Sequence, residues 1–263
     1  MHHKSPVITL ILLLLLLFGC SDNSGTNPDS ESEPLTSDYS HLSQQLHVAY
    51  QEGSQTLLAS FFSGWQELLP PYPPTKMSEF SDTIRSAYQV FDEFYSPANL
   101  SRLTGGAHEN FETEFRYIIV QNSLQIAVVD TNPRYYYYKG VQVNEITHTD
   151  FRPAVEISDY PVVFLSPEMD SVLYHFLFTA DSANREDHQG RVSFLRHAVQ
   201  LTPHHWFRDY HKMTMPYASS IILNDTLSRA LVNFRVFYQF GDAYLKREHG
   251  NWTLIHSELT AIE

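Results

Sequence analysis

The chain has a single cysteine, Cys20, in 263 residues. No disulfide can form within it, so the folded body is held by its core alone. Basic residues are scarce. The 17 Lys and Arg face 30 Asp and Glu, for a net charge of −13. Such a surface repels phosphate backbones, which excludes nucleic acid as an expected partner. It also lacks the polybasic run that would press a domain onto anionic lipid. There are only 10 glycines, and none sits in a phosphate-cradling loop. A Gly-x-Ser-x-Gly elbow, a His-Glu-x-x-His pair and paired-cysteine metal spacings are missing too. No cofactor is expected.

What is present begins at the start. Lys4 precedes a wholly apolar run, Val7 to Cys20 (VITLILLLLLLFGC). A short basic start, a compact apolar run and a small residue before the end mark an export leader. The run is shorter than the roughly 20 apolar residues a spanning helix needs. Its end, Leu17-Phe18-Gly19-Cys20, resembles the lipobox of bacterial lipoproteins. That resemblance implies cleavage before Cys20, lipid on its thiol, and a mature chain tethered to a bacterial envelope membrane, with the outer membrane expected. It also accounts for a lone thiol in an exported chain, where cysteines are usually paired. Acyl chains contribute about 0.8 kcal/mol per buried CH₂, so the lipid and not the domain surface holds the membrane.

Residues 20–38 then form an acidic, Ser-, Asn- and Pro-rich stretch (SDNSGTNPDSESEPLT from Ser21) that reads as a flexible leash. Ser21-Asp22 and the acids behind it resemble surface-export signals of lipoproteins in one group of outer-membrane bacteria. A plain solubilising linker is the alternative.

The chain as a whole has 43% apolar and 14% aromatic residues, a globular composition, and from Tyr39 to the end a single α+β domain is expected. A body of this size buries about 70–75% of its unfolded surface. Residues 39–97 read as helices. Leu42, Leu46 and Ala49 mark the first. Leu57, Leu58, Phe61, Phe62, Trp65, Leu68 and Leu69 mark the second, which Pro70-Pro71 stops. Ser78 to Tyr95, with Phe80, Ile84, Ala87, Tyr88 and Phe91 on one face, forms the third. Residues 111–165 read as strands. Phe115–Val120 and Leu124–Val129 are joined by a turn at Asn122-Ser123, and Arg134–Tyr138 and Val141–Ile146 form a hairpin about Lys139-Gly140. Residues 166–200 return to helix, opening on the Ser166-Pro167-Glu168 cap, with a second helix over Arg191–Gln200. Residues 203–263 alternate like an antiparallel meander over His204–Met215, Ser219–Leu223, Arg229–Phe240, Ala243–Glu248 and Trp252–Ile262. Its turns fall at Asn224-Asp225, Gly241-Asp242 and His249-Gly250.

The ending ALVNFRVFYQFGDAYLKREHGNWTLIHSELTAIE, with Gly241, Gly250 and Trp252, resembles the nuclear transport factor two-like superfamily, which includes polyketide-cyclase-like and ketosteroid-isomerase-like proteins. The resemblance implies a cone: a strongly curved antiparallel sheet wrapped around N-terminal helices, here with an insertion in the middle. It also implies that an active member would place an Asp or His base inside the cone.

On an extended Pro203–Met215, residues His205, Asp209 and His211 share a face. They are the candidate catalytic residues, as a base with a carboxylate-fixed tautomer or as ligands to a transition metal. A solvated strand face is the plainer reading, and no metal site is assigned. His256 and Glu258 share a face of the last strand. Tyr135, Tyr136, Tyr137 and Tyr138 would put two rings outward, where they can stack on a sugar or peptide. A tyrosine-rich edge strand is the alternative. Asp-Ser/Thr-apolar triplets at Asp82, Asp170, Asp181 and Asp225 resemble bacterial O-glycosylation acceptors. Three functional classes therefore stand. The first is a lipid-anchored protein that binds a small molecule, glycan or peptide without turnover. The second is an isomerase or hydrolase with a His/Asp base. The third is a scaffold subunit of an envelope complex.

Overall fold

The computed structural model describes residues 37–107, 116–137, 140–155, 157, 160–178, 185–204 and 209–263. The leader, Cys20, the acidic stretch up to Thr36, Tyr138, Asp181 and His205 lie outside the described residues, while Ser37 and Asp38, expected in the leash, open the first helix.

The architecture is α+β. Helices α1 (Ser37–Gln51) and α2 (Gln55–Leu68) follow the apolar spacing of the sequence. The Ser54 hydroxyl caps α2 by accepting from the Leu57 N–H at 3.3 Å. A short α3 (Pro74–Met77) precedes α4 (Asp82–Phe94) and α5 (Ser101–Thr104). The helix expected from Ser78 starts only at Asp82, because the Ser81 side chain caps it at the Ile84 N–H. Helix α6 (Pro167–Leu177) starts on the expected Ser166 cap. Helix α7 runs Arg185–Arg196, six residues ahead of the expected Arg191–Gln200. Its first turns are polar and show no apolar period. They are held instead by first-turn acids and the Asp187–Arg191 pair at 2.8 Å. Among the described residues no helix is long and apolar enough to cross a membrane.

The main sheet is curved, open and mostly antiparallel. Its strands are β2 (Ser123–Val129), β3 (Val143–Thr149), β7 (Tyr217–Asn224), β8 (Arg229–Val236), β9 (Gln239–Glu248) and β10 (Asn251–Ile262), in the order β10-β9-β8-β7-β2-β3. The expected meander is present from β7 to β10. Only the β2–β7 pair is parallel.

Two short strands lie apart from it. Strands β1 (Ile118–Gln121) and β4 (Val162–Leu165) pair in parallel as a two-stranded ribbon. Every second residue of this ribbon faces a different core. Ile118, Val120, Val162 and Phe164 pack with α4, α5 and the inner face of the sheet. Ile119, Val163 and Leu165 pack with α1, α2, α6 and α7. The ribbon is thus a wall between two cores, which explains why both of its faces are apolar. Trp65 crosses to it, its indole N–H donating to the Phe164 carbonyl at 2.9 Å.

Several expected connections are corrected. The stretches around Ile118 and Leu124 do not form a hairpin, since β1 belongs to the ribbon and β2 to the sheet. The break comes at Gln121 and Asn122. The Gln121 side-chain amide clamps both backbone groups of Ala218, at 2.8 and 2.9 Å. Asn122 holds Phe151 through its carbonyl and its side chain. Strand β3 pairs with β2, not with the tyrosine run. Pro133–Tyr135 is a 3₁₀ turn, because Asn132 caps it at the Arg134 N–H and Pro133 pre-sets its first residue. The long strand from Arg229 breaks at Phe237, so the hairpin turn falls there and not at Gly241-Asp242. Gly241 lies within β9. A Cβ there would come within 2.4 Å of Phe234 Cζ and 2.7 Å of the Glu258 carbonyl oxygen. Glycine is needed for strand packing at this position and not for a turn. Among the described residues, the extended run expected from His204 to Met215 is strand at β6 (Tyr210–His211), which pairs with β5 (Thr202–Pro203) as a separate ribbon.

The inner face of the sheet is filled. Tyr88, Phe91, Phe94, Phe151, Phe234 and Trp252 are buried against it. The outer face carries a smaller apolar patch, Ala127, Val129, Ile222 and Leu231, covered by Tyr136, Val141 and Tyr244.

Candidate functional site

The described residues among the candidate catalytic and ligand-stacking sets lie on separate elements. Asp209 Oδ1 accepts from the Tyr210 N–H at 2.7 Å and lies 3.7 Å from Lys212 Nζ. Lys212 is buried and pairs with Asp170 of α6 at 2.8 Å. The carboxylate is therefore turned toward a lysine that strand alternation would place on the opposite face. His211 packs its ring against that of His204, with centroids 3.5 Å apart. Burial, then the Arg235 guanidinium and the His204 ring, push the His211 imidazole down to about 4. At neutral pH it carries no charge. Arg235 is held by Glu263 and by the Phe237 carbonyl. Among the described residues no group of three or more His, Cys, Asp or Glu is placed to hold a metal ion.

Tyr136 and Tyr137 lie on the outer face of the sheet. Tyr136 donates to Glu145 Oε1 at 2.6 Å, and that bond, with burial, raises its hydroxyl to about 12. Tyr137 donates to Asn233 Oδ1 at 3.2 Å. The turn at Pro133 thus forms a flap over the sheet, and it brings Arg134 to within 4.8 Å of the Tyr244 ring centroid.

Between this flap and strands β8, β9 and β10 lies a groove of about 300 Å³. Arg134, Arg229, Tyr244, Lys246, Ile255 and His256 line it. Its construction is specific. Arg229 and Lys246 are register partners across β8–β9, and like charges directly opposite one another destabilise a sheet. Lys246 reaches Glu248 at 2.8 Å. Arg229 makes no ion pair among the described residues. On the next strand, Leu254 pairs with Leu245 and His256 with Tyr244, leaving Ile255 as the extra residue of a β-bulge. Bulges re-aim side chains, and this one leaves Ile255 59% exposed at the groove. His256 stacks on Tyr244 at 5.9 Å and an angle of 14°, and its Nε2 lies 3.8 Å from Glu258.

Of these residues the sequence had singled out only His256. The Asn132-Pro133 pair was the available signal for the flap. The Arg229–Lys246 pairing needed the correct hairpin turn.

No family model, no curated protein and no solved structure matches the chain.

Proposed function

We propose that this is an exported, lipid-anchored envelope protein that binds a small ligand without turnover, and that the groove beneath Arg134 is the binding site. The observation that carries the reading is the groove itself. A like-charged cross-strand pair and a bulged, exposed isoleucine are local costs to the sheet, and they meet at one place, beside a stacked aromatic pair.

The chemistry expected of an enzyme has less support. Asp209 is taken up by Lys212 and a backbone N–H, and a cone-like interior would be packed with phenylalanines, leaving no room for a base and substrate. The order of helices, a strand pair, helices and a meander supports the nuclear transport factor two-like reading. In that reading the β1–β4 ribbon with its flanking helices is the addition to the cone. The tether is proposed from Leu17-Phe18-Gly19-Cys20 alone.

Two measurements test the reading. Palmitate labelling of the chain should be lost in Cys20→Ser. NMR titration with a panel of neutral and charged sugars should move the Ile255 methyl signal with no product formed. Turnover that disappears in His211→Ala would favour the isomerase or hydrolase reading and overturn this one.

A further inference from the structure

The geometry points to an acidic, sugar-sized ligand for the groove: one carboxylate or sulfate on a ring with a C–H face. This inference rests on reading the groove as the binding site and adds the ligand class.

The argument begins with charge. The chain carries −13 overall, yet Arg134, Arg229 and Lys246 converge on one groove. Cations gathered on an acidic surface set up a local field that draws in an anion and orients it. Lys246 has Glu248 at 2.8 Å, and Arg134 is engaged first by a side-chain hydrogen bond to Tyr244 and more weakly by Glu258. Among the described residues the guanidinium of Arg229 is the planar donor fork without an ionic partner, and such a fork matches a carboxylate or sulfate with two parallel N–H donors.

A bare inorganic anion would not use the rest of the site. Ile255 is an exposed aliphatic side chain, and Tyr244 is a half-buried ring. They offer an apolar wall beside the cations. A ligand that satisfies both has its anionic group and a C–H face adjacent, as uronic acids and sugar sulfates do. The size agrees, since about 300 Å³ is at the small end of ligand pockets. A phosphate polymer is excluded by the surrounding acidity.

The experiment titrates the full chain, in detergent micelles and labelled at its isoleucine methyls, with D-glucuronate, with its neutral methyl ester, and with N-acetylglucosamine 6-sulfate. The inference predicts that an acid moves the Ile255 signal and the ester does not. It also predicts that added salt weakens the response and that Arg229→Gln weakens it about fivefold. Response to glucuronate alone identifies a carboxylate, and response to the sulfate alone a sulfate. Equal response to acid and ester overturns the charge assignment and leaves the groove as a binding site. No movement of any groove signal with any of the three probes overturns both.

Discussion

Arg229 stands directly opposite Lys246 across the antiparallel β8–β9 pair. Two cations in register cost a sheet stability, and here the pair lines the same groove as the bulged Ile255. A fold under selection for stability alone would replace one of them. Their joint presence is the reason to read this patch of the sheet as a site.

The same strands make a prediction about Gly241. An added methyl would meet Phe234 Cζ and the Glu258 carbonyl well inside van der Waals contact. The carbonyl belongs to backbone and cannot swing away. Gly241→Ala should therefore destabilise the domain by about 2 kcal/mol, measured as a lowered midpoint in urea. An unchanged midpoint would mean that β8 and β10 are not packed this closely.

Trp65 ties α2 to the ribbon between the two cores through its bond to the Phe164 carbonyl. Trp65→Phe removes that bond and leaves a void in a fully buried site. A loss of about 2 kcal/mol is expected. If calorimetry shows no change, the ribbon is not fixed through α2.

His211 sets a pH dependence. Its folded imidazole is held down at about 4, first by burial, then by Arg235 and His204, while Glu263 and Asp209 act in the opposite sense. An unfolded imidazole takes up its proton near 6.5. Between those values the unfolded chain binds more protons, so stability falls as the pH drops through that window. His148, also pushed down by burial, adds to the loss with the same sign. His211→Gln should flatten the fall between pH 6.5 and about 4, read from urea midpoints across that range. A slope equal to that of the unaltered chain would place His211 in solvent.

Much of the helical frame was legible because its signals are local. Pro70-Pro71 stops α2, and Ser166-Pro167 starts α6. His249-Gly250 marks the β9–β10 turn, where both residues have positive φ. The groove was not legible because its signals are not local. The β8–β9 turn rests on Phe237 at φ 53, a residue type with no turn preference. It is held by Arg235 donating to its carbonyl and by Glu263, whose side chain takes Arg235 and whose N–H donates to the Tyr238 carbonyl. A turn placed instead at Gly241 misaligns every cross-strand partner, so Arg229 never meets Lys246 on paper. The tyrosine run misled in the opposite way. Aromatic residues favour strands, but Asn132 and Pro133 had already committed the backbone to a tight turn.

Replacing Arg229 tests the central claim most directly, because it separates a functional residue from a structural one. If the groove holds an anionic ligand at the expense of the sheet, Arg229→Thr should raise the melting temperature of the ligand-free protein, by relieving the opposed charges, and should weaken glucuronate or sugar-sulfate binding. A lowered melting temperature with binding intact would show that Arg229 serves the fold and would contradict the account.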